Sequence, residues 1–252
     1  MPNVLITGAG AGIGRASALL LAERGWKVGA YDLKDHPHEA LHTGVMDVTK
    51  PEDWEAGIAD FEAHVGQIDV LVNNAGILYG GAFMKEGSFE KDSATVDVNL
   101  KGVLYGCRAA FPHLQPGAKI VNMCSASAIY GTPDMATYSA TKFGVRGITE
   151  ALNLEWEESG ITVESIWPLY VKTGMLDNVR TDGTDRLGIR LTADDVAAEV
   201  ADVVERPRVK VAQVHTPVGL QTKIMFALSH FSPVAMTRFV NAKLTTKRKV
   251  KF

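Results

Sequence analysis

Between residues 3 and 215 the chain alternates short apolar, β-rich runs with longer segments of helical periodicity, an order that few folds accept. The strand-like runs are "NVLIT" at 3–7, "KVGAYDL" at 27–33, "IDVLVNNAG" at 68–76, "AKIVNMCSAS" at 118–127, "ITVESIWPLYV" at 161–171 and "RVKVAQVH" at 208–215. "DVT" at 47–49 closes a further strand. Between them, residues 13–24, 53–66, 88–114, 136–159 and 193–206 carry apolar side chains at helical spacing, and 88–114 reads as one long helical stretch. Runs that are apolar on both faces suit a parallel sheet covered by helices. The expected fold is therefore α/β, a doubly wound parallel sheet in one domain spanning 1–252, with a C-terminal helical extension over 216–252. A ligand site then belongs outside the carboxyl ends of the strands, where the strand order reverses.

Composition narrows the classes. The chain of 252 residues is 46% apolar and 22% charged, ordinary for a globular protein. Its 26 Lys and Arg against 29 Asp and Glu give a net charge of −3, which offers no field for nucleic acid. Cys107 and Cys124 show no metal-knuckle spacing. No apolar run reaches the ~18 residues of a spanning helix. No signal-like region precedes the first strand, so a reducing, cytoplasmic setting is expected.

The first turn carries chemistry. "VLITGAGAGIGR" places Gly8, Gly10, Gly12 and Gly14 between a strand and a helix, and fails G-x-G-x-x-G in every frame. Its position still makes it a phosphate cradle, because the amides of the helix N-terminus meet a pyrophosphate there. Asp32 ends the next strand, 20 residues after Gly12, where a carboxylate accepts hydrogen bonds from an adenosine ribose. This strand–turn–helix–strand unit is Rossmann-type and implies a dinucleotide.

In "YSATK", Tyr138 and Lys142 stand four apart on one helix face. A tyrosine with a pKa of about 10 is a poor base, and a neighbouring ammonium is expected to lower it. Ser125 lies thirteen residues before Tyr138 at a strand end, and Asn99 sits in the helix after "NNAG". With T-G-x-x-x-G-x-G at Thr7, Gly8, Gly12 and Gly14, these motifs identify the chain as resembling the short-chain dehydrogenase/reductase family over roughly residues 1–215. The resemblance implies a catalytic tetrad of Asn99, Ser125, Tyr138 and Lys142. Ser125 would hold the substrate oxygen and Tyr138 would take or give its proton. Lys142 would lower the tyrosine pKa and bind the nicotinamide ribose, and Asn99 would hold a relay water. Ser127 is read as a packing or capping residue.

For cofactor contacts the resemblance implies Gly8, Gly12, Ile13 and Gly14 at the pyrophosphate, Asp32 at the ribose and Asp47 and Val48 at the adenine. It adds Asn74 and Gly76 from "NNAG", Tyr138 and Lys142 themselves, and Val171 and Thr173 at the carboxamide. Leu169 stands where the family carries glycine, which affects the local turn and pocket width. Asp32 would repel the 2′-phosphate of NADP, and Ala11 and Leu33 supply no cation, so NAD is expected over NADP although Lys34 lies close by.

The expected function is an oxidoreductase interconverting an alcohol and a ketone or aldehyde by hydride transfer. Two alternatives share the fold: a non-catalytic nucleotide sensor or scaffold, which would not need Tyr138 with Lys142, and an isomerase or dehydratase. Trp167, Tyr170 and Met175 are read as core residues or substrate walls, and their place after a strand end favours walls. "HPHEALH" at 36–42 sits in a loop read as remote from the chemistry, and no metal is expected. The partners expected are a small-molecule substrate and further copies of the chain, as a homodimer or homotetramer through the helices starting near Asp92 and Thr137. For the extension, Leu220, Ile224, Met225, Leu228 and Phe231 precede Pro233, and the basic end "TTKRKVKF" follows. The break at Pro233 and the confinement of charge to one end favour a lid over a bulky apolar substrate, or a subunit contact, above an amphipathic membrane anchor.

Overall fold

In the computed structural model of the chain, residues 1–177, 179–207 and 213–247 are described. The first half runs β1 (Asn3–Thr7), α1 (Gly12–Glu23), β2 (Lys27–Asp32), β3 (His42–Val45), α2 (Pro51–His64), β4 (Val70–Asn73), α3 (Phe83–Glu86), α4 (Phe89–Val96), α5 (Gly102–Ala110) and β5 (Lys119–Met123). The second runs α6 (Ala136–Glu155), β6 (Thr162–Trp167), β7 (Val171–Lys172), α7 (Asp182–Leu187), β8 (Leu191–Thr192), α8 (Ala193–Glu205), β9 (His215–Pro217), α9 (Gly219–Ser229) and α10 (Val234–Thr245).

Seven strands form one parallel sheet in the order β3-β2-β1-β4-β5-β6-β9. The order reverses between β1 and β4, which opens the crevice at their carboxyl ends. Alternation along the strands divides the core. Val4, Ile6, Val72 and Val121 face α1 and α8, while Leu5, Leu71 and Ile120 face Trp54 and Phe61 of α2 and Val103 of α5. Local chemistry sets the helix ends. Pro51 opens α2 with Glu52 and Asp53 in its first turn, and Thr192 caps α8 reciprocally with Asp195. The result is a doubly wound α/β domain.

Two expectations are refined. The helical stretch expected over 88–114 is present from Phe89 to His113, but α4 and α5 within it are joined by a π-helical turn over Asp97–Lys101. Apolar periodicity hardly separates an α-helix from one wider turn inside it. The last strand is His215–Pro217, at the end of the expected 208–215 run, whose residues 208–212 lie outside the described residues. Thr216 and Pro217 therefore belong to the sheet, and the helical extension starts at Gly219. There α9 packs Met225 and Phe226 onto the core, and α10 packs on α7.

Candidate active site

At the reversal point a cleft of about 860 Å³ runs from the glycine turn to Leu176 and Val179, in the segment after β7. Its floor starts with the turn between β1 and α1. Gly8 has φ +64°, and a Cβ on Gly14 would lie 2.2 Å from the Gly8 carbonyl oxygen, so only glycine brings helix and strand this close. The N-terminus of α1 has neither a side-chain cap nor an acidic first turn. Its amides are thus available to an anion, and the turn fits a dinucleotide pyrophosphate. Asn74 ties the two halves of the crevice, its Nδ2 donating to the Thr7 and Gly8 carbonyls at 3.0 Å each. Thr7 Oγ1 accepts the Asn74 and Ala75 amides, a role the sequence reading missed. The Asp32 carboxylate accepts Gly10 N at 2.8 Å and Leu33 N at 2.7 Å, and makes no ion pair among the described residues. Asp47 accepts the Thr49 amide and hydroxyl, so it shapes its own turn while lining the cleft.

The far half holds the reactive side chains. Ser125 follows β5, its Oγ accepting the Ser127 amide at 3.2 Å and donating to the Pro168 carbonyl at 3.5 Å. Tyr138 and Lys142 rise from the first turns of α6, with Lys142 Nζ 5.5 Å from the Tyr138 ring centre. Lys142 Nζ donates to the Met123 carbonyl at 2.8 Å and has no carboxylate partner among the described residues. Burial pushes the Lys142 ammonium down to about 8. It pushes the Tyr138 phenol up to about 12, against a hydrogen bond from Ser125 that lowers it. The expected depression of the tyrosine by its lysine is therefore not what the protein alone shows, because loss of solvent dominates both groups. Asn99 is fully buried in the π turn, where it accepts Ile77 N and donates to the Ile77 carbonyl, each at 2.8 Å, with Thr141 Oγ1 at 3.5 Å.

The cleft brings together Gly8, Gly12, Ile13, Asp32, Asp47, Val48, Asn74 and Gly76. At its other end it joins Ser125, Tyr138, Lys142, Val171 and Thr173. Gly14 and Asn99 stand behind the lining as supports. Of the three expected walls, Tyr170 and Met175 line the cleft, but Trp167 is wholly buried against His215 and Phe226 and is a core residue. Ser127 is buried and accepts the Thr132 hydroxyl, yet it also lines the cleft.

The histidine loop also departs from its reading as remote. A Cβ on Gly10 would lie 2.3 Å from His36 Cδ2, so this ring folds back on the glycine turn. His42 finds a carboxylate outside its own loop. Its Nε2 meets Asp60 at 2.7 Å, its ring stacks on His64 at 4.8 Å, and Tyr31 donates to the same carboxylate. With Asp60 already shared among Tyr31, His42 and His64, the group ties edge strand β3 to α2.

Comparison with known proteins meets this geometry from outside. The chain is 35% identical to a 3-alpha-(or 20-beta)-hydroxysteroid dehydrogenase of Mycobacterium bovis over 188 residues, covering 71% of this chain and 72% of that protein. A 3-ketoacyl-(acyl-carrier-protein) reductase of Brucella melitensis, solved with NADH, superposes with a TM-score of 0.79 at 28% identity, covering 86% of this chain and 96% of the other. A short chain dehydrogenase of Burkholderia cenocepacia, solved with NADP, superposes with a TM-score of 0.81 at 25% identity over 97% of this chain and 98% of the other. The family model for short chain dehydrogenase matches residues 2–184, from β1 through the start of α7, and so takes in both halves of the cleft. By that match the chain belongs to the short chain dehydrogenase family of oxidoreductases.

Proposed function

We propose that the protein interconverts a bulky apolar alcohol and its ketone or aldehyde, with NAD as hydride acceptor and Tyr138 as acid/base. The observation that carries the reading is one continuous cleft joining the glycine turn to Ser125, Tyr138 and Lys142. When bound, the nicotinamide supplies the acceptor or donor for the hydride. Gly8, Gly12, Ile13 and the α1 amides would hold its pyrophosphate, with Asp32 at the ribose and Asp47 and Val48 beside the base. Asn74 and Gly76 would support the nucleoside, Val171 and Thr173 the carboxamide, and Lys142 the second ribose.

Each side chain then has one task in oxidation. Ser125 donates a hydrogen bond to the substrate oxygen and turns it toward Tyr138. The Tyr138 phenolate accepts the hydroxyl proton as the carbinol carbon gives up its hydride, and reduction reverses both transfers. A cationic Lys142 favours the phenolate that burial disfavours. Asn99 holds the backbone at Ile77 beside the cleft, on the proton path that family resemblance suggests. Leu78, Met135, Tyr170, Leu176 and Val179 line the substrate end and favour an apolar substrate. Leu244 of α10 packs on this cluster, consistent with a lid.

The reading extends to assembly and setting. Leu104 on α5 and Phe143 and Leu154 on α6 are exposed, which supports a homodimer or homotetramer through these helices. Among the described residues no helix is long and apolar enough to cross a membrane, and both cysteines are free thiols, which fits a cytoplasmic setting. Cofactor reduction against a panel of alcohols tests the reaction. Tyr138→Phe keeps the ring and removes the transferable proton, so turnover should fall at least about a hundredfold with cofactor binding retained. Near-normal turnover would remove Tyr138 from its role.

A further inference from the structure

Helix α9 is apolar on two opposite faces, and only one is used. Inward, Thr222 is fully buried and Met225 and Phe226 pack on the core. Outward, Leu220, Ile224 and Leu228, with Phe231 just past the helix end, fall within one quadrant and stand 74%, 50%, 59% and 89% exposed. Met236 of α10 adds a further exposed apolar side chain. A helix apolar all round is ordinarily enclosed, and a contiguous exposed patch of this kind marks a contact surface.

Charge identifies the partner. Residues 218–252 contain seven Lys or Arg and no Asp or Glu, whereas residues 1–217 contain nineteen Lys or Arg against twenty-nine Asp or Glu. A second copy seated symmetrically would set one cationic arm against another, which like-charge repulsion opposes. The ion pairs of the arm do not remove its surplus. Lys223 meets Glu199 and Lys247 meets Asp182 and Asp185 on the exposed surface, where such pairs are weak. Protruding aliphatic and aromatic side chains on a cationic arm match an acyl layer beneath anionic headgroups. We propose that the outer face of α9 seats the protein on the surface of an anionic lipid bilayer. The acidic body is repelled by the same surface, so charge also orients the molecule arm-down. The lid and anchor readings then use opposite sides of one arm, since α10 packs inward on α7 while α9 turns outward.

The inference does not depend on the reaction and is read without turnover. The full chain is sedimented with phosphatidylcholine vesicles that contain or lack phosphatidylserine. Binding is expected to the anionic vesicles, weakened by salt, and reduced at least about a hundredfold in Ile224→Ser/Leu228→Ser/Phe231→Ser. These positions face solvent, so the variant should keep its melting temperature and its activity on a small water-soluble alcohol. No binding to anionic vesicles at low salt overturns the proposal, as does equal binding by the triple variant. A smaller particle mass of the triple variant in light scattering, without vesicle binding by the parent, assigns the face to self-association instead.

Discussion

Two lysines are buried at opposite ends of the same strand. At the amino end of β5, Lys119 is 5% exposed, and its ammonium donates to the carbonyls of Val203 and Arg206 with Glu164 at 3.9 Å. Arg206 joins the group by pairing with Glu164. Burial lowers the Lys119 pKa and the Glu164 carboxylate raises it in part. At the carboxyl end, Lys142 is 4% exposed, donates to the Met123 carbonyl and has no carboxylate partner among the described residues, and burial takes its pKa down to about 8. One end of the sheet neutralises its buried charge with its own side chains. The other leaves its ammonium lining the cleft, without a carboxylate partner among the described residues.

The contrast breaks first at Lys119. Lys119→Met leaves Glu164 buried with Arg206 alone and strands the two carbonyls, so denaturant unfolding should show a loss of roughly 3–5 kcal/mol. A neutral outcome would erase the difference between the two ends. Lys142→Met should do the reverse at neutral pH, stabilising the fold by roughly 1–3 kcal/mol while turnover collapses. The gain depends on pH. The folded pKa lies below the unfolded value, so the native lysine is destabilising in full below about 8. That cost fades as pH rises through the window up to the unfolded value of about 10.4, and thermal melts of the two proteins should converge there. Parallel melting curves across this window would show that Lys142 is not held as described.

A smaller effect tests a second unpaired charge at the same edge. Among the described residues Asp32 accepts the backbone amides of Gly10 and Leu33 and makes no ion pair. Asp32→Ala should shift the ratio of kcat/KM for NAD over NADP toward NADP by about tenfold, roughly 1.4 kcal/mol. Because Gly10 loses its acceptor, affinity for both cofactors should also fall somewhat. An unchanged ratio would place cofactor choice elsewhere, with His36 over the same turn as the next side chain to vary.

The features legible in sequence are those whose physics is local. Alternating periodicity implies a parallel sheet wherever it occurs, a strand–glycine–helix junction puts amides at a helix end, and Tyr138 and Lys142 share a face because they are four apart. What the sequence left open depends on long-range partners. A helical period reads through the π turn that buries Asn99, whose amide group meets Ile77, 22 residues away. Trp167 follows a strand into the core and away from the cleft because Phe226, far along the chain, closes over it. His42 finds its carboxylate on α2 rather than within its own loop. Even the pKa of Tyr138 turns on burial, not on the neighbour that sequence supplies. The sequence by itself determined the layers and the alternation of strands and helices. Tertiary structure alone decided which of those groups face the cleft, which are shielded from water and which side of the C-terminal arm is left bare. Solvent exclusion is a property of the packed whole and has no counterpart in residue spacing.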